Sequence, residues 1–160
     1  MSIRAFRPRK GREMKGQIPT INAADADSIQ DFSYIQAEPG ETLGQALSRY
    51  MSELKVDPIM LSALTGISKA SIYYYTKNKR RISFNHIAAI CIALRLYPLR
   101  SLYLISLAHY HLSPQDKRDM LIYRYIYGCA FNQSYTLTAC NKALLTERFR
   151  PLTALSDEEA

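Results

Sequence analysis

The chain has 160 residues, of which 48% are hydrophobic and 22% charged, and its formal net charge is +7. This length and apolar fraction support a folded core and argue against wholesale disorder. No apolar run approaches the roughly 20 residues needed to span a bilayer. The basic residues 1–16 are also not followed by the apolar core of a secretory signal.

The charge is unevenly distributed along the chain. Residues 1–16 carry +5, residues 17–41 carry −5, residues 42–112 carry +7, and residues 113–160 are neutral. A polyanionic partner would explain both basic regions. The alternative is that these basic surfaces only maintain solubility.

Residues 1–41 show no helical or strand period, and we interpret them as a flexible basic arm followed by an acidic linker. The arm could enter the minor groove of a duplex, or it could be a solubilising tail, and the sequence favours neither. The candidate minor-groove residues are Arg4, Arg7, Arg9, Lys10 and Arg12.

Capping signals predict the first two helices. Thr42 with Gln45 three positions later matches a capping box. Asp57 before Pro58 opens the second helix, because aspartate caps and proline is tolerated in the first turn. Gly66 ends this helix, since glycine permits the positive φ of a tight turn.

The third and fourth helices are predicted to begin after Ser68 and Ser83. Asn78 suits the left-handed conformation that ends the third helix. Ile72 and Tyr75 are three positions apart and should face the core, which leaves the other side of the third helix exposed.

Pro98 opens a fifth helix that is apolar nearly all round and must therefore be covered on more than one side. Ser113-Pro114-Gln115-Asp116 signals another helix start, and a last helix is predicted from about Ser134 to Thr146. We assign residues 113–155 to a C-terminal helical extension and residues 156–160 to an acidic tail. No segment of the sequence shows the alternating pattern of a β-strand, so the predicted fold class is all-α.

The order of a short apolar-faced helix, a glycine turn, a capped helix and a basic tail is typical of a helix-turn-helix unit. Here the turn is Gly66-Ile67-Ser68, and the basic tail is Lys77-Asn78-Lys79-Arg80-Arg81. A helix presented in this way fits the major groove of duplex DNA. Residues 42–112 are therefore predicted to form a five-helix DNA-binding domain.

One set of residues gives this region a more specific pattern than the turn alone: Leu61, Ser62, Gly66-Ile67-Ser68, Ile72, Lys79-Arg80 and the helix from Ile87 through Leu96. In this pattern, residues 42–97 resemble the Cro/CI-type (XRE) family of bacterial and phage helix-turn-helix regulators. The sequence departs from the family pattern at Asn78, where glycine is usual, and in its three consecutive tyrosines at 73–75. The rest of the chain is similar, more loosely, to the helical tail of a set of small regulators from Firmicutes.

The exposed side of the third helix carries the predicted base contacts. A lysine at the helix start suits the acceptors of guanine, and alanine or a tyrosine ring edge can meet a thymine methyl group. The alternative for each tyrosine is packing against a neighbouring chain. The predicted base-contacting residues are Lys69, Ala70, Tyr73, Tyr74 and Lys77.

The resemblance implies that the turn after the third helix meets the DNA backbone, which gives affinity without reading sequence. It also implies phosphate contacts at two helix N-termini. The alternative is a solvated run of charge. The predicted phosphate-contacting residues are Ser68, Asn78, Lys79, Arg80 and Arg81, with Ile59 and Met60 nearby at the start of the second helix.

No catalytic, metal or cofactor site is predicted. His109 and His111 would lie about 200° apart around a helix and cannot easily share a metal. His86 is most simply a surface residue. The three cysteines lack metal-type spacing and suit the reduced thiols of an intracellular protein. Glycine-rich phosphate loops, HExxH and GxSxG are absent from the sequence.

The predicted function is a sequence-specific double-stranded DNA-binding regulator of transcription, associated with the nucleoid of the bacterial cytoplasm. A homodimer is predicted because one recognition helix reads only a few base pairs. The C-terminal helices could form the dimer contact, or they could cover one another within a monomer. The alternative function is a protein-interaction module, such as an antitoxin or regulatory adaptor, that holds a partner through these helices. RNA binding is disfavoured, because no sheet offers an aromatic platform.

Overall fold

The computed structural model describes residues 35–154 of the chain. No β-strand occurs in that range, which confirms the all-α fold class. None of the helices in this range is both long enough and apolar enough to cross a bilayer. The elements are α1 (Leu43–Glu53), α2 (Pro58–Thr65), α3 (Lys69–Thr76), α4 (Phe84–Ala93), α5 (Pro98–Leu107), α6 (Lys117–Gly128) and α7 (Leu137–Thr146).

The first four helices begin at the residues that the sequence indicates. Thr42 Oγ1 accepts a hydrogen bond from the Gln45 N–H at 3.3 Å, and the Thr42 N–H donates to Gln45 Oε1 at 2.9 Å. Asp57, Ser68 and Ser83 each accept a hydrogen bond from the backbone N–H three positions later. These caps satisfy N–H groups that have no partner within the helix.

Two residues in the left-handed region set the path around α3. Gly66 ends α2 with a φ of 77°, and Asn78 follows α3 with a φ of 55°. Glycine adopts this conformation without a steric penalty, and asparagine tolerates it better than most other residues. The two reversals place α3 against both α2 and α1.

A single cluster of buried side chains runs from α1 to Leu152, beyond α7. The fourth helix lies at its centre, with Ile87 and Ile90 fully buried, and it packs against α2, α5, α6 and α7. The apolar fifth helix is covered by α1, α4 and α6, as its sequence requires. The C-terminal helices therefore share their core with the helix-turn-helix region.

Two ionic contacts hold α1 in place. Arg100 of α5 is only 3% exposed, donates to Glu53 at 2.7 Å and lies 4.6 Å from the centre of the Tyr50 ring. Arg49 makes a two-point contact with Glu41, through Nε at 3.0 Å and Nη2 at 2.9 Å. The chain just before α1 is therefore tied to the surface of that helix.

The last helix begins later than predicted. Ser134 lies in a turn, where its N–H and hydroxyl both donate to Asn132 Oδ1, and Thr136 provides the cap of α7. Leu145 of α7 is 46% exposed. Its exposure leaves an apolar side chain of α7 without a cover in the described chain.

Candidate nucleic-acid interface

One face of α3 is fixed to the core. Ile72 is fully buried and Tyr75 is 4% exposed. The Tyr75 hydroxyl lies 2.7 Å from Nδ1 of His86 on α4. Burial lowers the pKa of His86 and so favours the neutral ring, whose Nδ1 can accept a hydrogen bond from the Tyr75 hydroxyl. The interpretation of His86 as a surface residue is wrong, because it is half-buried and holds α3 against α4.

The opposite face of α3 is open to solvent. Lys69, Ala70 and Lys77 are exposed, and Tyr73 and Tyr74 are 47% and 37% exposed. The described part of the C-terminal extension does not cover these side chains. The five residues predicted to contact bases therefore lie on one accessible side of the helix.

Basic side chains stand at two positions around this face. The Nζ atoms of Lys77 and Lys79 lie 5.9 Å and 5.8 Å from the centre of the Tyr73 ring. The guanidinium carbon of Arg80 lies 4.9 Å from the centre of the Tyr74 ring. Consecutive residues point about 100° apart around a helix axis, so the two cationic groups lie about 100° apart around α3. The open face of α3 therefore has cations beside two of its exposed rings.

Arg81 and Ser68 differ in their availability to a phosphate. Arg81 is exposed, and its guanidinium lies 5.7 Å from the centre of the Tyr110 ring, away from the rings of α3. The Ser68 hydroxyl accepts a hydrogen bond from the Ser71 N–H at 3.2 Å and donates to Ser71 Oγ at 2.9 Å. The Ser68 side chain is thus engaged within the first turn of α3.

The Asn78 side chain is used inside the fold. Its Oδ1 accepts a hydrogen bond from the Gly44 N–H at 2.9 Å, and its Nδ2 donates to Thr42 Oγ1 at 2.9 Å. Both partners belong to the start of α1. A phosphate contact at Asn78 would therefore have to use the backbone and not the amide side chain.

The start of α2 is a weaker candidate for a phosphate contact. Ile59 is 63% exposed and Met60 is half-buried. The Met60 N–H already donates to Asp57 Oδ1 at 2.7 Å. Because the Asp57 carboxylate repels a phosphate, this helix terminus is less suited to an anion than that of α3.

Other predicted features do not contribute to this surface. The five cations of the basic arm, at residues 4–12, lie outside the described residues. Within residues 35–154, no group of three or more His, Cys, Asp or Glu could hold a metal ion. Burial raises the pKa of the thiols of Cys91, Cys129 and Cys140 to about 12. These thiols are therefore protonated at neutral pH and buried in the core.

Comparison with known proteins identifies the region that carries this surface. Residues 46–98 match the family model of the Cro/C1-type HTH DNA-binding domain, about a third of the 160-residue chain. Searches of curated proteins and of solved structures found no match. The matched segment contains most of α1, all of α2, α3 and α4, and the turn at Gly66. Residues 46–98 are therefore similar to the Cro/C1-type HTH DNA-binding domain.

Proposed function

We propose that the protein is a sequence-specific double-stranded DNA-binding regulator of transcription, acting on the bacterial nucleoid, with α3 as its recognition helix. The observation that carries this proposal is the open face of α3, which has cations beside two of its exposed rings. Ile72 and Tyr75 anchor the helix from behind. A helix held in this way can enter the major groove without a rearrangement of the core.

The proposed contacts follow the exposed residues of α3 and its turn. The predicted base-contacting side chains occupy the centre of the open face, where they would face base edges. Lys79 and Arg81 are exposed cations of the following turn, and we assign them to the phosphate backbone. Asn78 joins them through its backbone only, since its side chain is bonded to α1.

Selection from random duplex pools tests this function. We expect one class of sequence to be enriched and to resist competition by random duplex. Lys77→Ala should weaken binding to that sequence by about tenfold, the size of one good base contact. Lys117→Ala removes an exposed lysine from the start of α6 and is the matched control, which should bind like the wild type. A pool without enrichment, or equal losses in the two variants, would contradict the proposal.

We also propose that the protein acts as a homodimer through α6 and α7. Tyr127 and Leu145 are large apolar side chains that are 53% and 46% exposed, and burial of both would favour association. An open groove of about 470 Å³ also lies between the two helices; its lining includes Leu121 and Tyr125 but neither Tyr127 nor Leu145. A second copy over this surface would double the DNA contacts and supply the affinity that one recognition helix lacks.

A second candidate function is a protein-interaction module, in which the same groove holds a segment of a different protein. The observation that favours it is that polar groups, Arg124 and Glu147, line the groove beside the apolar ones. Apolar anchors with a polar margin are typical of transient interfaces. The molar mass of the purified protein separates the two candidates, because only self-association gives a dimer without a partner.

A further inference from the structure

Arg80 is placed differently from the other cations of the turn. The chain reverses at Asn78, and the Arg80 side chain then runs back along α3. Its Nη1 donates a hydrogen bond to Ser71 Oγ at 3.2 Å, and its guanidinium lies over the Tyr74 ring at 4.9 Å. Two separate contacts thus hold one exposed guanidinium against the side of the helix.

These contacts bring Arg80 to the first turn of α3. Ser71 is the third residue of the helix, and its hydroxyl also accepts a hydrogen bond from the cap residue Ser68 at 2.9 Å. In helix-turn-helix proteins, the N-terminal residues of the recognition helix contact base edges. By contrast, the guanidinium of Arg81, one position later in the chain, lies beside Tyr110.

We infer that Arg80 reads a guanine base in the major groove, and that Ser71 and Tyr74 are positioning residues that orient its guanidinium. The inference rests on the proposed function. It moves Arg80 from the phosphate contacts to the base contacts, and it moves Tyr74 from the base contacts to the residues that position Arg80. A guanidinium pairs with O6 and N7 of guanine through two parallel N–H groups. Arginine has five N–H donors, so one bond to Ser71 leaves enough for this pairing.

The two contacts also explain why arginine is suited to this position. The planar group loses less freedom on binding if it is already stacked and hydrogen-bonded. A lysine would keep the charge but would lose both the fork of donors and the flat stacking surface. A phosphate contact would tolerate that replacement, whereas a guanine contact made through two parallel N–H groups would be weakened by it.

The test compares Arg80→Lys with Arg81→Lys, which is the same chemical change at the neighbouring position. Each variant, in the full chain, is put through selection from random duplex pools and then titrated with duplexes that differ at single positions. In Arg80→Lys, the preference for guanine over the other bases at one position should fall by about tenfold, while the preferences at the other positions stay unchanged. Arg81→Lys should retain the whole wild-type pattern.

Two further variants test the positioning role of Ser71. Ser71→Ala should lower the preference for guanine at the same position. Ser71→Thr, which keeps a hydroxyl, should retain the wild-type preference. A change confined to one base position is not expected from a general loss of stability, and circular dichroism monitors the fold in parallel.

Three results would overturn the inference. One is an equal and sequence-independent loss in Arg80→Lys and Arg81→Lys, which would assign Arg80 to the phosphate backbone. Another is an unchanged preference in Ser71→Ala, which would remove the positioning role. The third is a wild-type protein without any sequence preference, which would overturn the proposed function as well.

Discussion

The backbone N–H of Gly44 donates a hydrogen bond to Oδ1 of Asn78 at 2.9 Å, across 34 positions of the sequence. This contact joins the start of α1 to the end of α3. The two segments approach so closely that a Cβ at Gly44 would lie 2.5 Å from the backbone oxygen of Thr76. The end of the proposed recognition helix is therefore fixed against the first helix of the domain.

Gly44→Ala should destabilise the protein by about 1–3 kcal/mol, because the backbone of α3 has to move to admit the methyl group. Urea unfolding followed by circular dichroism measures the change in the free energy of unfolding. Ser48→Ala, at an exposed position of the same helix, is the control and should stay within about 0.5 kcal/mol of the wild type. If the two substitutions change the free energy of unfolding equally, the close approach of α1 and α3 does not contribute to stability.

Asn78 should contribute through both its conformation and its side chain. Asn78→Gly keeps the left-handed backbone but loses the two hydrogen bonds, and we expect a cost of about 1–2 kcal/mol in the free energy of unfolding. Asn78→Ala also strains the backbone and should lose about 1 kcal/mol more. The expected order of stability is wild type, glycine variant, alanine variant. A glycine variant as stable as the wild type would mean that the bonds to α1 contribute nothing.

Local features of the fold can be predicted from the sequence, because each depends on residues within one or two helical turns. The caps of the first four helices and the open face of α3 are of this kind. The contacts of Arg80 with Ser71 and of Asn78 with Gly44 cannot be predicted in the same way. They depend on the direction in which the chain reverses after α3, and a run of basic residues indicates charge but not where each side chain points.

The burial of His86 should make stability depend on pH. Burial lowers the pKa of His86 in the folded state, so the unfolded chain takes up a proton first as the pH falls. This contribution to stability is therefore complete above the ordinary histidine pKa of 6.5 and is lost as the pH falls through the lower pKa of the folded state. In His86→Gln the side chain cannot take up a proton, so this part of the pH dependence should be abolished. Urea unfolding between about pH 7.5 and pH 5, the range in which histidine titrates, measures the effect. An unchanged profile in the variant would contradict this assignment.

Self-association is expected to depend on the exposed apolar residues of α6 and α7. Tyr127→Glu and Leu145→Glu should each convert a dimer, twice the 18.3 kDa of one chain, into a folded monomer, because a charge would be buried in the interface. Light scattering gives the mass, and circular dichroism shows whether the helices persist. Ser48→Glu, on the exposed side of α1, should leave the dimer intact. A wild-type protein that is monomeric at all concentrations would exclude this interface.

The salt dependence of duplex binding tests the central claim most directly. We predict that the logarithm of the association constant falls linearly with the logarithm of the salt concentration, because cations near α3 displace counterions from phosphates. In a protein with Lys79→Ala and Arg81→Ala, that slope should be smaller in magnitude by about two, close to one for each lost phosphate contact. Two results would contradict the account: a wild-type association constant that does not change with the salt concentration, or a double variant with the wild-type slope.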